Sequence, residues 1–148
     1  MTAEKLNSTF FYVLERAIKS YRQMAQRKIS QEFGDITVDQ LLVLQTMKDQ
    51  PELTQQQIAL AVFMDYASIT RIIDLLVRKG FINRTGHPTD RRRFELTLTA
   101  EAEDLLAAVH PRIMKNRKIA LNGISQDEIS IARKVLAAIT ENCTNEGG

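Results

Sequence analysis

The hydrophobic residues of this chain recur mainly at three- and four-residue intervals, the spacing of amphipathic helices. The first run extends from residue 5 to 32 and stops before Gly34, a residue that suits the end of a helix. Further runs predict helices over 37–49, 54–61, 65–79, 99–121 and 125–142. Because only three prolines and six glycines interrupt 148 residues, we expect a mainly α fold.

Several helix starts carry side chains that can cap free backbone amides. A capping box pairs a Ser or Thr with a Gln or Glu three residues later, so that each side chain accepts from the other's amide. The pairs are Thr37 with Gln40, Thr54 with Gln57, and Ser125 with Glu128. Asp65 and Thr99 are expected to cap two more helices. Pro111 removes one amide donor within the helix over 99–121, which predicts a bend.

Two short segments break the helical pattern. Residues 81–85 and 94–97 are predicted to be strands, the second because Phe94 and Leu96 alternate with Glu95 and Thr97. The polar stretch over 86–93 between them is too long for a two-residue hairpin turn. The predicted order is one long helix, three short helices, a hairpin and two final helices.

The helix over 65–79 has one apolar face and one polar face. Its apolar stripe is predicted to be core, and its other side carries small and polar residues followed by basic ones. A DNA major groove accepts such a face, because small residues allow a close approach while Thr and Arg reach bases and phosphates. The candidate DNA-binding residues are Tyr66, Ala67, Ser68, Thr70, Arg71, Asp74 and Arg78. Only Val62, Phe63 and Met64 separate this helix from the one before, which predicts a helix-turn-helix.

Basic charge is concentrated in the same region. The net charge of the chain is only +2, but residues 65–93 hold seven Arg or Lys against three Asp. A local excess of this kind is typical of a phosphate-binding face, although a solvated helix and loop would also explain it. Adjacent arginines at a hairpin tip suit a DNA minor groove. The candidate residues of this arm are Arg84, His87, Asp90, Arg91, Arg92 and Arg93.

Residues 53–99 resemble the winged helix-turn-helix of the MarR family of transcriptional regulators. The matching motifs are Ala67-Ser68-Ile69-Thr70-Arg71, Leu76-Val77-Arg78-Lys79-Gly80-Phe81-Ile82, and Asp90-Arg91-Arg92 followed by Leu96-Thr97-Leu98-Thr99. The resemblance implies that Asp90 braces the wing while Arg92 enters the minor groove. The chain departs from the family at Phe63, where the family often has glycine, so we expect a wider turn or one packed under the ring.

The resemblance implies one MarR-type domain over 1–148. Residues 35–98 would form the DNA-binding lobe, and 5–34 and 99–143 would form helices that interlock in a homodimer reading a pseudo-palindromic operator. Relatives are commonly repressors that respond to small aromatic or phenolic acids. Candidates for lining such an effector pocket are Tyr12, Arg16, Tyr21 and Met47, although Tyr or Met at helical spacing is more often core.

Other classes of function find little support in the sequence. His87 and His110 are the only histidines and lie in different elements, Cys143 has no cysteine partner, and phosphate-loop, nucleophile-elbow and metal-ligand motifs are absent. We therefore expect no enzyme activity, metal or cofactor. The sequence shows no signal peptide or membrane segment, which predicts a cytosolic protein. The alternative is a winged helix that binds proteins, which would have no need of three arginines at its tip.

Overall fold

The computed structural model describes residues 3–90 and 94–146 of the chain. The elements are α1 (Phe10–Phe33), α2 (Val38–Asp49), α3 (Gln55–Ala61), α4 (Tyr66–Arg78), β1 (Ile82–Gly86), β2 (Phe94–Leu98), α5 (Ala100–Ala120) and α6 (Gln126–Glu146). The two strands pair antiparallel, with Ile82 opposite Leu98 and Gly86 opposite Phe94. The predicted mainly helical fold with one hairpin is therefore confirmed.

The chain divides into two compact units, residues 1–116 and 117–148. The first unit contains α1 to α4, the hairpin and most of α5, and it holds the core. Its largest fully buried hydrophobic side chains are Val43, Leu44, Ile58, Ile69, Ile73, Leu76, Ile82 and Val109. Three of these eight belong to α4. One face of α4 is therefore anchored in the core, and the opposite face is left toward solvent. The second unit contains the end of α5 and α6, and α6 has no buried residue.

All three predicted capping boxes form. At the start of α2, the backbone amide of Gln40 donates to Thr37 Oγ1 at 3.0 Å, and the backbone amide of Thr37 donates to Gln40 Oε1 at 3.2 Å. The boxes that begin α3 and α6 close in the same reciprocal way. Thr99 accepts from the Ala102 amide at the start of α5, as expected for an N-cap.

The first long helix begins later than its sequence predicts. It starts at Phe10 rather than residue 5, and a separate 3-10 turn covers Leu6–Ser8. The hydroxyl of Ser8 donates to the Lys5 carbonyl and that of Thr9 to the Leu6 carbonyl, each at 2.8 Å. Such local bonds compete with helix formation, which explains the delayed start.

Helix α5 keeps its predicted bounds to within one residue, whereas α6 extends further than predicted. Helix α5 continues through Pro111 without interruption, so the missing amide does not end it; a bend there stays a prediction. Helix α6 runs to Glu146 instead of ending near 142, so the exposed Cys143 lies on this helix. None of the described helices is both long enough and apolar enough to cross a membrane.

Phe63 occupies the turn between α3 and α4 in a conformation usually reserved for glycine. Its φ is +61°, and its ring is 94% exposed. The Met64 amide donates to the Ala59 carbonyl at 2.9 Å and the Phe63 amide to Leu60 at 3.3 Å, the two bonds of a Schellman motif. The expectation of a wider or ring-covered turn is therefore wrong: the turn keeps the geometry of a glycine turn and exposes the ring.

Candidate nucleic-acid interface

Helix α4 presents one stripe to the core and another to solvent. Ile69, Ile73 and Leu76 are completely buried, whereas Ala67, Arg71 and Arg78 are exposed. At about 100° per residue, residues 67, 71, 74 and 78 fall on one side of the helix within roughly 60°. We call these four residues the outer stripe of α4. The core side of α4 fixes the helix, so the outer stripe is held in a defined orientation.

The start of α4 is firmly capped. Asp65 Oδ1 accepts from the Ser68 amide at 2.7 Å and Oδ2 from the Ser68 hydroxyl at 3.0 Å. These two bonds hold the pKa of the Asp65 carboxyl below its usual value. The carboxylate therefore stabilises the helix start at neutral pH, and this contribution is lost only as acid protonates it. The predicted residues Tyr66 and Ser68 lie beside this cap, Tyr66 exposed and Ser68 half-buried.

The hydroxyl of Thr70 makes two hydrogen bonds within the chain. It donates to the Tyr66 carbonyl at 2.8 Å, and it accepts from Gln55 Nε2, also at 2.8 Å. Gln55 is the first residue of α3, so this bond joins the two helices of the helix-turn-helix. Sequence reasoning identified Thr70 but missed Gln55, because spacing along the chain gives no sign of a contact across 15 residues.

The hairpin is tied to α4 by an ion pair. Arg84 Nη2 on β1 lies 2.6 Å from Asp74 Oδ1 on the outer stripe. The Arg84 guanidinium also lies over the Phe94 ring of β2, 5.5 Å from its centroid. Both Asp74 and Arg84 were predicted to face DNA, and here they are occupied with each other. Their contacts indicate that they orient the hairpin on the helix.

The tip of the hairpin begins with a turn built on His87. Its Nδ1 atom accepts from the backbone amides of Thr89 and Asp90, each at 3.2 Å. The ring therefore organises the chain as it leaves β1. Arg91, Arg92 and Arg93, the arginines predicted for the wing tip, lie outside the described residues, so their role stays a prediction.

The four residues predicted for an effector pocket do not lie together. Tyr12 and Arg16 line a hollow of about 400 Å³ on α1, where the Arg16 guanidinium sits 4.8 Å from the centre of the Tyr12 ring. Met47 instead is buried in the core of the first unit, and Tyr21 is half-buried on α1. Among residues 3–90 and 94–146, no three His, Cys, Asp or Glu side chains are arranged to hold a metal ion.

Helices α3 and α4, together with the hairpin of β1 and β2, form a winged helix-turn-helix. Residues 36–94 match the family model of the MarR family. The predicted resemblance to that family is thus confirmed over this stretch of the chain.

Solved structures share the fold over nearly the whole chain. BpsR of Bordetella bronchiseptica, described with regulation of its DNA binding by 6-hydroxynicotinic acid, matches with a TM-score of 0.84 and 20% identity over 94% of this chain and 98% of its own. The DNA complex of S. aureus MepR matches with a TM-score of 0.80 and 24% identity, covering 90% and 98%. PcaV of Streptomyces coelicolor with its natural ligand gives 0.78 and 21%, covering 95% and 98%. The MarR family and these neighbours are transcriptional regulators and not enzymes, which agrees with the expectation from the sequence.

Proposed function

We propose that this protein is a transcriptional regulator that binds specific sequences of double-stranded DNA. The observation that carries the proposal is the outer stripe of α4, in which a small residue, Ala67, precedes Arg71 and Arg78. A major groove about 12 Å wide admits a helix, and such a stripe offers close approach first and cationic contacts later. The S. aureus MepR structure supports this proposal, since it is a complex with DNA in the same fold.

The wing is proposed to enter the adjacent minor groove. Arg91, Arg92 and Arg93 add three positive charges to the loop that follows the His87 turn. Because the Asp74–Arg84 pair fixes the hairpin to α4, the two DNA-contacting elements would approach the duplex together. An arginine in a narrow minor groove gains most over A·T-rich steps.

We further propose that two copies form a homodimer. In the first unit, Leu6, Phe10, Phe11 and Val13 expose between 48% and 71% of their surface. In the second unit, α6 exposes Ile131, Val135 and Leu136 by at least 40% each. Exposed apolar patches of this kind mark interaction surfaces, and a two-fold dimer would match a pseudo-palindromic operator.

We propose that the protein is a repressor and that a small aromatic or phenolic effector relieves the repression. BpsR and PcaV support it, since each is described with a small ligand. The hollow beside Tyr12 and Arg16 offers an aromatic face next to a guanidinium, a pair suited to an aromatic carboxylate.

Selection of bound fragments from random duplex DNA tests the DNA-binding proposal. We expect the purified protein to enrich one motif with two-fold symmetry and half-sites separated by about one helical turn. Enrichment of no sequence at low ionic strength would contradict the proposal.

The wing is tested by the salt dependence of binding. Replacing Arg92 with Ala should weaken binding to the selected duplex and lower the slope of log affinity against log salt by about one unit, since one ionic contact with the DNA is lost. An unchanged affinity and slope would remove Arg92 from the interface.

A further inference from the structure

The bond between Gln55 and Thr70 determines which polar atoms this part of the interface can offer to a base. The Thr70 hydroxyl has one proton, and the 2.8 Å bond to the Tyr66 carbonyl uses it. The group that approaches Thr70 Oγ1 at 2.8 Å must therefore be a donor, which fixes the Gln55 amide with Nε2 toward Thr70. The orientation of the Gln55 side chain follows from the bonding of its neighbour.

Two polar functions remain on Gln55 after this bond forms. They are the carbonyl oxygen Oε1 and the second N–H of Nε2, one acceptor and one donor on the same planar amide. Thr70, by contrast, has no proton left to offer, so toward a base it has only one acceptor lone pair and its methyl group. Gln55 is half-buried, which limits the rotamers of a side chain that would otherwise move freely.

The pair is placed where a base edge would pass. Thr70 lies on α4 between exposed Tyr66 and exposed Arg71, at the border of the outer stripe. Gln55 and Tyr66 also line a hollow of about 640 Å³ between the helix starts and the hairpin, together with Phe94 of β2. A duplex that contacts the outer stripe would therefore bring its major-groove edge to this amide.

We propose that Gln55 reads an adenine in each half-site and that Thr70 is the positioning residue that holds its amide in place. A glutamine amide matches the N7 acceptor and the N6 donor of adenine, and a threonine methyl suits the methyl group of thymine. This inference rests on the proposed function. It assigns base discrimination to the first helix of the motif as well as to α4.

Changing Gln55 to Glu tests the assignment. A carboxylate cannot donate to Thr70 Oγ1 and accepts from cytosine N4 instead of pairing with adenine. In a selection from random duplex DNA, the motif of Gln55→Glu should have cytosine in place of adenine at one position of each half-site. The other positions of the motif should be the same as those selected by the wild type. Gln56→Glu is the matched control: it adds the same charge one residue away and should weaken binding without changing the motif.

A second measurement distinguishes the base contact made by Gln55 from the positioning role of Thr70. The wild type should bind about ten- to a hundredfold more weakly to its selected duplex when that adenine is replaced by 7-deazaadenine, which lacks N7. Gln55→Ala should bind the two duplexes equally, and Thr70→Val should show a reduced difference between them.

Two outcomes overturn the inference. A Gln55→Glu motif identical to that of the wild type would show that the amide reads no base. Equal sensitivity of wild type and Gln55→Ala to 7-deazaadenine would assign the adenine contact to another residue. If the wild type itself enriches no motif, the proposed function fails instead, so the two failures are distinguishable.

Discussion

Arg78 and Arg71 both lie on the outer stripe of α4, but their positions along the helix assign them different contacts. Arg71 lies more than one turn after the start of α4, and Arg78 is the last residue of the helix. In the proposed complex, Arg71 is therefore near the floor of the major groove. Arg78→Ala should weaken binding to selected and random duplexes by a similar factor and lower the salt slope by about one, as for a phosphate contact. Loss confined to the selected duplex, measured by fluorescence anisotropy, would instead make Arg78 a base contact.

The ion pair between Asp74 and Arg84 is expected to position the hairpin on α4 more than to stabilise the fold. Each is partly exposed, so the pair itself contributes little to stability. In a double-mutant cycle with Asp74→Ala and Arg84→Ala, we expect a coupling of about 0.5–1 kcal/mol in the free energy of unfolding, measured by urea denaturation. A coupling of zero would mean that the ion pair does not attach the hairpin to α4.

At the scale of the element, α3 and α4 end in the same way with different residues. Both close with a Schellman motif, and the left-handed position is Phe63 (φ +61°) after α3 and Gly80 (φ +83°) after α4. A residue with a Cβ in this conformation costs about 1 kcal/mol or more. Phe63 thus carries backbone strain that its exposed ring does not offset by packing.

Phe63→Gly should therefore raise the free energy of unfolding by about 0.5–1 kcal/mol, measured by urea or thermal denaturation. Gly80→Ala is the reciprocal control and should lower it by about the same amount. Open space surrounds Gly80, so the effect of this control is one of backbone conformation alone. A destabilised Phe63→Gly variant would show that the ring has a packing role.

The elements differ in how well their sequence determines them. Capping boxes and the apolar face of α4 were predicted correctly, because caps and helical periodicity depend on residues within four positions of each other. The late start of α1 was missed because Ser8 and Thr9 bond locally to carbonyls, an option that apolar spacing does not reveal. The Gln55–Thr70 and Asp74–Arg84 contacts join different elements, so only the fold could place them.

At the scale of the whole molecule, we propose that assembly of the homodimer rests on the apolar surface of α6. Its Ile129, Ile131, Val135, Leu136 and Ile139 lie on one side of the helix, and none is buried. Val135→Asp should shift the protein from dimer to monomer at micromolar concentration, because a charge in an apolar interface loses its hydration. Light scattering after size exclusion measures the mass directly.

Ser130→Asp is the matched control for this experiment, since it places the same charge on the polar side of α6. It should leave the dimer intact. A wild type that runs as a monomer, or a Val135→Asp variant that stays dimeric, would contradict the proposed role of α6 in assembly.

The central claim is that the outer stripe of α4 reads the DNA sequence. It is tested most directly by the affinities of the wild type, Arg71→Ala and Arg27→Ala for the selected duplex and for a shuffled duplex at one salt concentration. Arg27 is an exposed arginine of α1, so its variant has the same net charge as Arg71→Ala. We predict that Arg71→Ala loses about 1–3 kcal/mol of discrimination between the duplexes while Arg27→Ala keeps it. Equal discrimination by all three proteins would contradict the claim.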